Sequence, residues 1–223
     1  MILRSQGGNP IRSVEDWFEF APPKRGATQW RDGRSAKELA RAWFRCHTAA
    51  PPSELGLLFN SHPAFDGLVI EDAIPECQIR LDDFRGEQRN ADLWLRCKRG
   101  GDTVVATIEA KADESFGELI GPYYDSRVRV RSNAPARIEA LCKAVLGCNL
   151  TETIRNTRYQ LLHSVAATVI SAGEHRAARA IFVVHEFRST SCQPAALARN
   201  HADWSPFVNL LMAPRHELPP RVT

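Results

Sequence analysis

The sequence predicts an α/β chain: a helical N-terminal stretch, a meander of three strands, a helix, a fourth strand and a closing helix. Three observations carry this. Apolar residues recur at helical spacing over about 36–47, alternate over about 68–112, and form a near-continuous run at 180–187. These periods mark, in turn, one face of a helix, half-buried strands, and a strand covered on both sides. The 223 residues, 43% hydrophobic and 25% charged, have ordinary globular usage and suffice to bury a core. No Gly/Ser linker, repeat or low-complexity segment divides the chain, so one domain over 1–223 is expected. Residues 1–34 would form a helical approach, about 35–190 the core, and about 191–223 a helical cap.

Each element has a local reason. Ser13, with Asp16 three residues on, is placed to cap a short helix carrying Trp17, Phe18 and Phe20, which Pro22-Pro23 stops. Ser35 and Glu38 form a capping-box pattern for a helix over about 36–47, with Leu39, Ala42, Trp43 and Cys46 inward. A short helix around 54–60 follows Pro51-Pro52. In the first strand Cys77, Ile79 and Leu81 alternate with Glu76, Gln78 and Arg80, and Pro75 stands at its start. Ala91, Leu93, Leu95 and Cys97 alternate with Asp92, Trp94 and Arg96 in the second; Val104, Ala106 and Ile108 mark the third, across a Gly100-Gly101 turn. Residues 113–133 read as a long connection, followed by a helix over about 134–146 that ends at Gly147. Asn149 with Glu152 opens another helix, running to Gly173. Ala180–Phe187 reads as a central strand, and Ala195–His201 as the last helix, with Trp204 and Phe207 packing beyond it.

Several functions are disfavoured. No apolar run approaches the roughly 20 residues of a membrane helix. The start Met1-Ile2-Leu3-Arg4 lacks a charged-then-apolar leader, so a cytoplasmic protein is expected. Six cysteines at irregular spacings read as small hydrophobes, with no Cys-x-x-Cys for zinc. A net charge of +3 is too mild to announce nucleic-acid binding by bulk attraction, though a local patch would suffice. Neither a phosphate loop nor a Gly-x-Ser-x-Gly elbow is present.

One constellation suggests chemistry. A turn centred on Gly100-Gly101 pairs residues whose numbers sum to 201, which sets Asp92 directly opposite Glu109. Side chains so paired share a face at about 4.5–5.5 Å between Cβ atoms, and Lys111 lies on that face too. Facing carboxylates repel unless a cation neutralises them, and hard oxygen ligands suit Mg²⁺ or Mn²⁺. A metal-bound water is acidified, and a neighbouring lysine can orient it for attack on a phosphodiester. Matching the first strand to the second by apolar parity suggests a pairing sum near 170, with Gln78 opposite Asp92 and Glu76 nearby on the same face. The same residues could instead be exposed strand charges forming an ordinary surface pair.

Asp92, sixteen residues, then Glu109-Ala110-Lys111 on a hairpin resembles the PD-(D/E)xK nuclease superfamily. That resemblance implies a restriction-endonuclease-like fold over roughly 35–190, helix–three strands–helix–strand, with a mixed sheet flanked by helices. It also implies that Asp92 and Glu109 bind the divalent metal and Lys111 positions the water, with Glu76 as a possible third acid. Gln160, on the following helix beside Tyr159, would complete the catalytic set. Asn90-Ala91-Asp92 stands where the family pattern has Pro-Asp. The wording Arg-Asn-Ala-Asp-Leu-Trp-Leu and Glu-Ala-Lys-Ala-Asp-Glu is also similar to a group of uncharacterised bacterial proteins. An acid-x-Lys triplet is weak alone, since chance supplies about 0.6 in such a chain; its place on the third strand, in register with Asp92, gives it weight.

The expected activity is metal-dependent hydrolysis of nucleic acid, with DNA as substrate and a homodimer or partner subunit as a source of specificity. Arg127, Arg129 and Arg131 alternate with Val128 and Val130, which suggests a phosphate-tracking strip on a strand or loop, and Arg158 is a further candidate phosphate contact. Glu38, Glu114, Glu118 and His163 could join the site or serve the fold. A non-catalytic binding or protein-interaction module on the same fold is the rival expectation, and a small-molecule enzyme a third.

Overall fold

A computed structural model describes residues 1–84, 88–188 and 194–213. The chain begins with a two-residue strand, β1 (Ile2–Leu3), which the apolar periodicity does not announce. It is fastened by chemistry instead: Arg4 Nε and Nη2 donate to the two oxygens of Asp72 at 3.0 and 2.8 Å, and Asp72 is only 3% exposed. Such a fork is a strong, geometrically specific pair. The N-terminal residues therefore join the sheet itself, and Leu3, Ile11 and Trp17 enter its core.

Ser13 caps α1 (Val14–Phe20), accepting from the Asp16 N–H at 3.0 Å as its position predicts. The second helix, α2 (Ser35–Trp43), differs at its start. Arg34 is the cap residue, and the Ser35 hydroxyl donates to Glu114, while Glu38 accepts from the Gly33 N–H at 2.9 Å. Glu38 is thus occupied at the helix start. The proline pair precedes α3 (Ser53–Asn60) as expected.

Three long strands follow: β2 (Val69–Ile79), β3 (Arg89–Arg99) and β4 (Asp102–Lys111). The β3–β4 register is the expected one, Arg99 with Asp102 through Leu93 with Ile108, about a turn in which Gly100 takes a φ of 58°. Pro75 lies inside β2, not at its start, beyond the point where β1 ends. There Gln6 continues the edge with its side-chain amide, donating to Gln78 O and accepting from Gln78 N–H.

The connection after β4 contains a helix, α4 (Ile120–Arg129), followed by α5 (Ala134–Leu141) and a wide π turn over Cys142–Leu146. Gly147, at a φ of 70°, ends that run as expected. The helix expected from Asn149 is two. Thr151, not Asn149, caps the short α6 (Glu152–Arg155), and the chain restarts at α7 (Tyr159–Glu174). Then β5 (Arg179–Glu186) and α8 (Pro194–Met212) close the fold, with Trp204 and Phe207 on α8 and not beyond it.

The sheet order is β1-β2-β3-β4-β5, antiparallel in the meander and parallel at both flanks. So among the described residues β5 lies at the edge of the sheet, not at its centre. Its faces are nonetheless both packed, Ile181 and Val183 on one side, Phe182 and Val184 on the other, which explains the continuous apolar run. Helices α1–α3 cover one face with Trp17, Leu39, Trp43 and Phe59; α5, α7 and α8 cover the other with Ile138, Leu161, Val165 and Phe207. The α7 layer is also tied by polar contacts, Trp94 Nε1 to Ser171 Oγ at 2.9 Å and Thr107 to Thr168 at 2.5 Å. Among the described residues no helix is long and apolar enough to cross a membrane. Cys77, Cys97 and Cys142 are buried thiols, as expected, but Cys46 and Cys148 are exposed; Cys192 lies outside the described residues.

Candidate active site

The alternation of β2 and β3 reverses midway. Ala73, Leu93 and Leu95 pack toward α1–α3, and Ile74 and Trp94 toward α7, as period two requires. Yet Cys77, Ile79 and Ala91 also lie on the α7 side. The switch falls at Glu76, whose φ of 47° is left-handed and costs a non-glycine residue of order 1 kcal/mol. Pro75 pairs with Leu93 and Cys77 with Ala91, so the pairing sum is 168, not 170. This two-residue correction places Glu76, not Gln78, opposite Asp92.

Beyond Leu93 and Ile108 the β3–β4 ladder gives way to a side chain: Asp92 Oδ2 accepts from the Ala110 N–H at 2.7 Å. One step further in the same register stands Glu109, 1% exposed. Its Oε1 accepts from Lys111 Nζ at 2.8 Å and from Gln160 Nε2 at 2.5 Å; Gln160 Oε1 in turn accepts from Lys111 at 3.2 Å. The predicted Asp92, Glu109, Lys111 and Gln160 are therefore brought together, with Glu76 beside them. Arg89, which sequence reasoning missed, pairs with Glu109 Oε2. Strict alternation would have sent Arg89 to the other face; the reversal delivers it to the acids.

The electrostatics are strained. Burial, and then the charge of Asp92, pushes the Glu76 carboxyl up to about 9. Burial, and then Glu109, pushes Asp92 up to about 7 despite the nearby cations. Burial acts on Glu109 as well, but Arg89 and Lys111 outweigh it and hold its carboxyl below the usual range. His163 is pushed down to about 3, by burial and then by Arg89. Its Nδ1 lies 2.9 Å from Gln160 O, which can only accept, so the neutral ring carries its proton there.

These groups line a cavity of about 860 Å³. Arg127 reaches its wall, but the arginine strip is not extended: Arg127 and Arg129 lie on α4, Arg129 lines a different cavity, and Arg131 follows the helix at a φ of 52°. Arg158 is engaged in the fold, donating to Gly117 O at 2.7 Å and pairing with Asp203 at 2.9 Å. Glu114, on the cavity wall, is held by the Ala112 and Ser35 N–H groups at the start of α2.

Among the described residues no three His, Cys, Asp or Glu side chains are gathered closely enough to hold a metal by themselves. The donor chemistry suits a smaller protein share. Mg²⁺ commonly uses one or two carboxylates and keeps water for the rest. Asp92 and Glu109 are hard oxygen donors, and burial together with the neighbouring carboxylates raises the proton affinity of Asp92 and Glu76. No curated protein and no solved structure matches this chain. A family model does, over residues 10–219, and the chain accordingly belongs to the family described as Domain of unknown function (DUF6946).

Proposed function

We propose that this protein hydrolyses phosphodiester bonds of nucleic acid, DNA foremost, in a divalent-metal-dependent reaction on a restriction-endonuclease-like core. One observation carries the reading: carboxylates that repel one another are held across adjacent strands beside a buried lysine, at the floor of an open cavity. A fold selected for stability alone would replace them.

Asp92 and Glu109 would hold Mg²⁺ or Mn²⁺, which when bound supplies Lewis acidity and an acidified water. Glu76, with its high proton affinity, is a reserve ligand or a proton holder behind Asp92. Lys111, 5% exposed, donates to Glu109 and Gln160, leaving the third ammonium hydrogen to orient the attacking water. Gln160 fixes that ammonium and, through Nε2, the Glu109 carboxylate. Arg89 pairs with Glu109 and neutralises it; a divalent metal held by Glu109 would take over that neutralisation and leave the guanidinium available to a phosphate.

The test compares wild-type and Lys111→Ala protein on single- and double-stranded DNA and RNA, with Mg²⁺, Mn²⁺ or EDTA. Metal-dependent cleavage by wild type alone is expected. Cleavage that survives EDTA or the loss of Lys111 would refute the assignment. Absence of both cleavage and Mn²⁺ binding would move the reading to a non-catalytic binding module.

A further inference from the structure

The cavity above the acids has an aromatic wall that hydrolysis itself does not require. Tyr123 on α4 stacks on Tyr159 on α7, with ring centroids 4.9 Å apart and planes 18° from parallel. Tyr159 continues to His163 at 4.6 Å, so three rings run from the rim toward Gln160 at the floor. Arg127, one helical turn from Tyr123, holds its guanidinium 4.8 Å from the Tyr123 ring. Lys24 and Arg25, from the connection after α1, line the same cavity and are exposed.

The depth of the floor restricts what can reach it. Glu109 and Lys111 are 1% and 5% exposed, and the cavity of about 860 Å³ lies in the range of about 300–1,000 Å³ that engulfs small ligands. A phosphate must descend below the rim to meet these groups. A duplex resists that, being stiff over a persistence length of about 50 nm. An unpaired strand turns inward freely, and its bases gain by stacking on aromatic rings or on an arginine plane, whatever their identity.

We propose that the site takes an unpaired nucleic-acid strand, a base of which stacks on the outer plane of Arg127, itself backed by Tyr123 and Tyr159, while Lys24 and Arg25 hold phosphates elsewhere on the cavity wall. This substrate class builds on the hydrolytic reading of the floor, yet it makes a binding prediction of its own.

Fluorescence anisotropy in EDTA, with labelled oligo(dT), oligo(rU) and a blunt DNA duplex of matched length, tests it. Single strands are expected to bind at least about ten-fold tighter than the duplex. Tyr123→Leu should lose about ten-fold, and Tyr123→Phe, which keeps the ring, should not. Arg25→Ala should weaken binding and lower the salt slope by about 1. The oligo(dT) to oligo(rU) ratio assigns DNA or RNA. A duplex bound as tightly as single strands, no binding of either, or an unchanged Tyr123→Leu overturns the proposal. Tyr123-dependent binding of single strands without metal-dependent cleavage would remove hydrolysis and leave this site standing; duplex cleavage with no single-strand preference would do the reverse.

Discussion

Replacing Asp92 by Asn should stabilise the metal-free protein, against the ordinary expectation for a half-buried acid that accepts a main-chain hydrogen bond. The amide oxygen still receives the Ala110 N–H, so that bond survives, while the charge facing Glu109 is gone. Asp92 is raised from 3.8 to about 7. At about 1.36 kcal/mol per unit this corresponds to a ceiling of about 4 kcal/mol, and sharing between coupled carboxyls reduces it to about 2. The folded carboxyl binds its proton more tightly than the unfolded one, so wild type loses stability as pH rises from about 4 to about 7. The advantage of Asp92→Asn is therefore least near pH 4 and complete by about pH 8. In a chain of this size about 2 kcal/mol raises Tm by about 4–8 °C. Calorimetry in EDTA at pH 8 reads it directly. A lower Tm for Asp92→Asn at every pH would show that Asp92 serves the fold as an ordinary paired acid, and would remove the electrostatic ground for a metal site. Added Mg²⁺ should stabilise wild type and leave the variant unmoved.

Other changes probe neighbouring groups. His163, held neutral with its pKa at about 3, takes up a proton on unfolding below about 6.5, so stability falls as pH drops through that window. At pH 5 wild type should have lost about 2 kcal/mol relative to neutral pH, a loss absent in His163→Phe by denaturant titration. Arg89→Gln removes the cation competing for Glu109; Mn²⁺ affinity by calorimetry should rise several-fold while cleavage falls by about 100-fold. Arg4→Ala leaves the 3%-exposed Asp72 without its bidentate partner and with Arg96 3.4 Å away, and should cost about 2–3 kcal/mol in chemical denaturation.

Much of this architecture was legible because it follows from local rules. The Gly-Gly turn fixed the β3–β4 register, and with it the apposition of Asp92 and Glu109, because a two-residue turn leaves the pairing little freedom. Ser13 and Gly147 act as their chemistry suggests. The illegible parts lack a periodic signal. Two residues are too few to show alternation, so β1 is defined by the pair between Arg4 and Asp72, 68 positions apart. The β2–β3 turn is long and left the pairing sum open by two. Val128 in α4 and Val130 just beyond its end are exposed, so their alternation with arginines reflects no buried face and imitated a strand.

The reversal at Glu76 is the part that local rules could not supply and the site could not do without. Perfect alternation through β2 and β3 would direct Arg89 away from Glu109 and leave the carboxylates without that counter-charge. The left-handed residue, the end of the β3–β4 ladder and the facing acids all coincide at one level of the sheet. The left-handed backbone and the facing acids are each unfavourable alone. Departures from local consistency that gather in one place, at the floor of a cavity, are what a functional site looks like when stability is traded for chemistry. That coincidence also orders the tests: if Asp92→Asn stabilises the fold and Lys111→Ala abolishes cleavage, the strain and the activity share one origin.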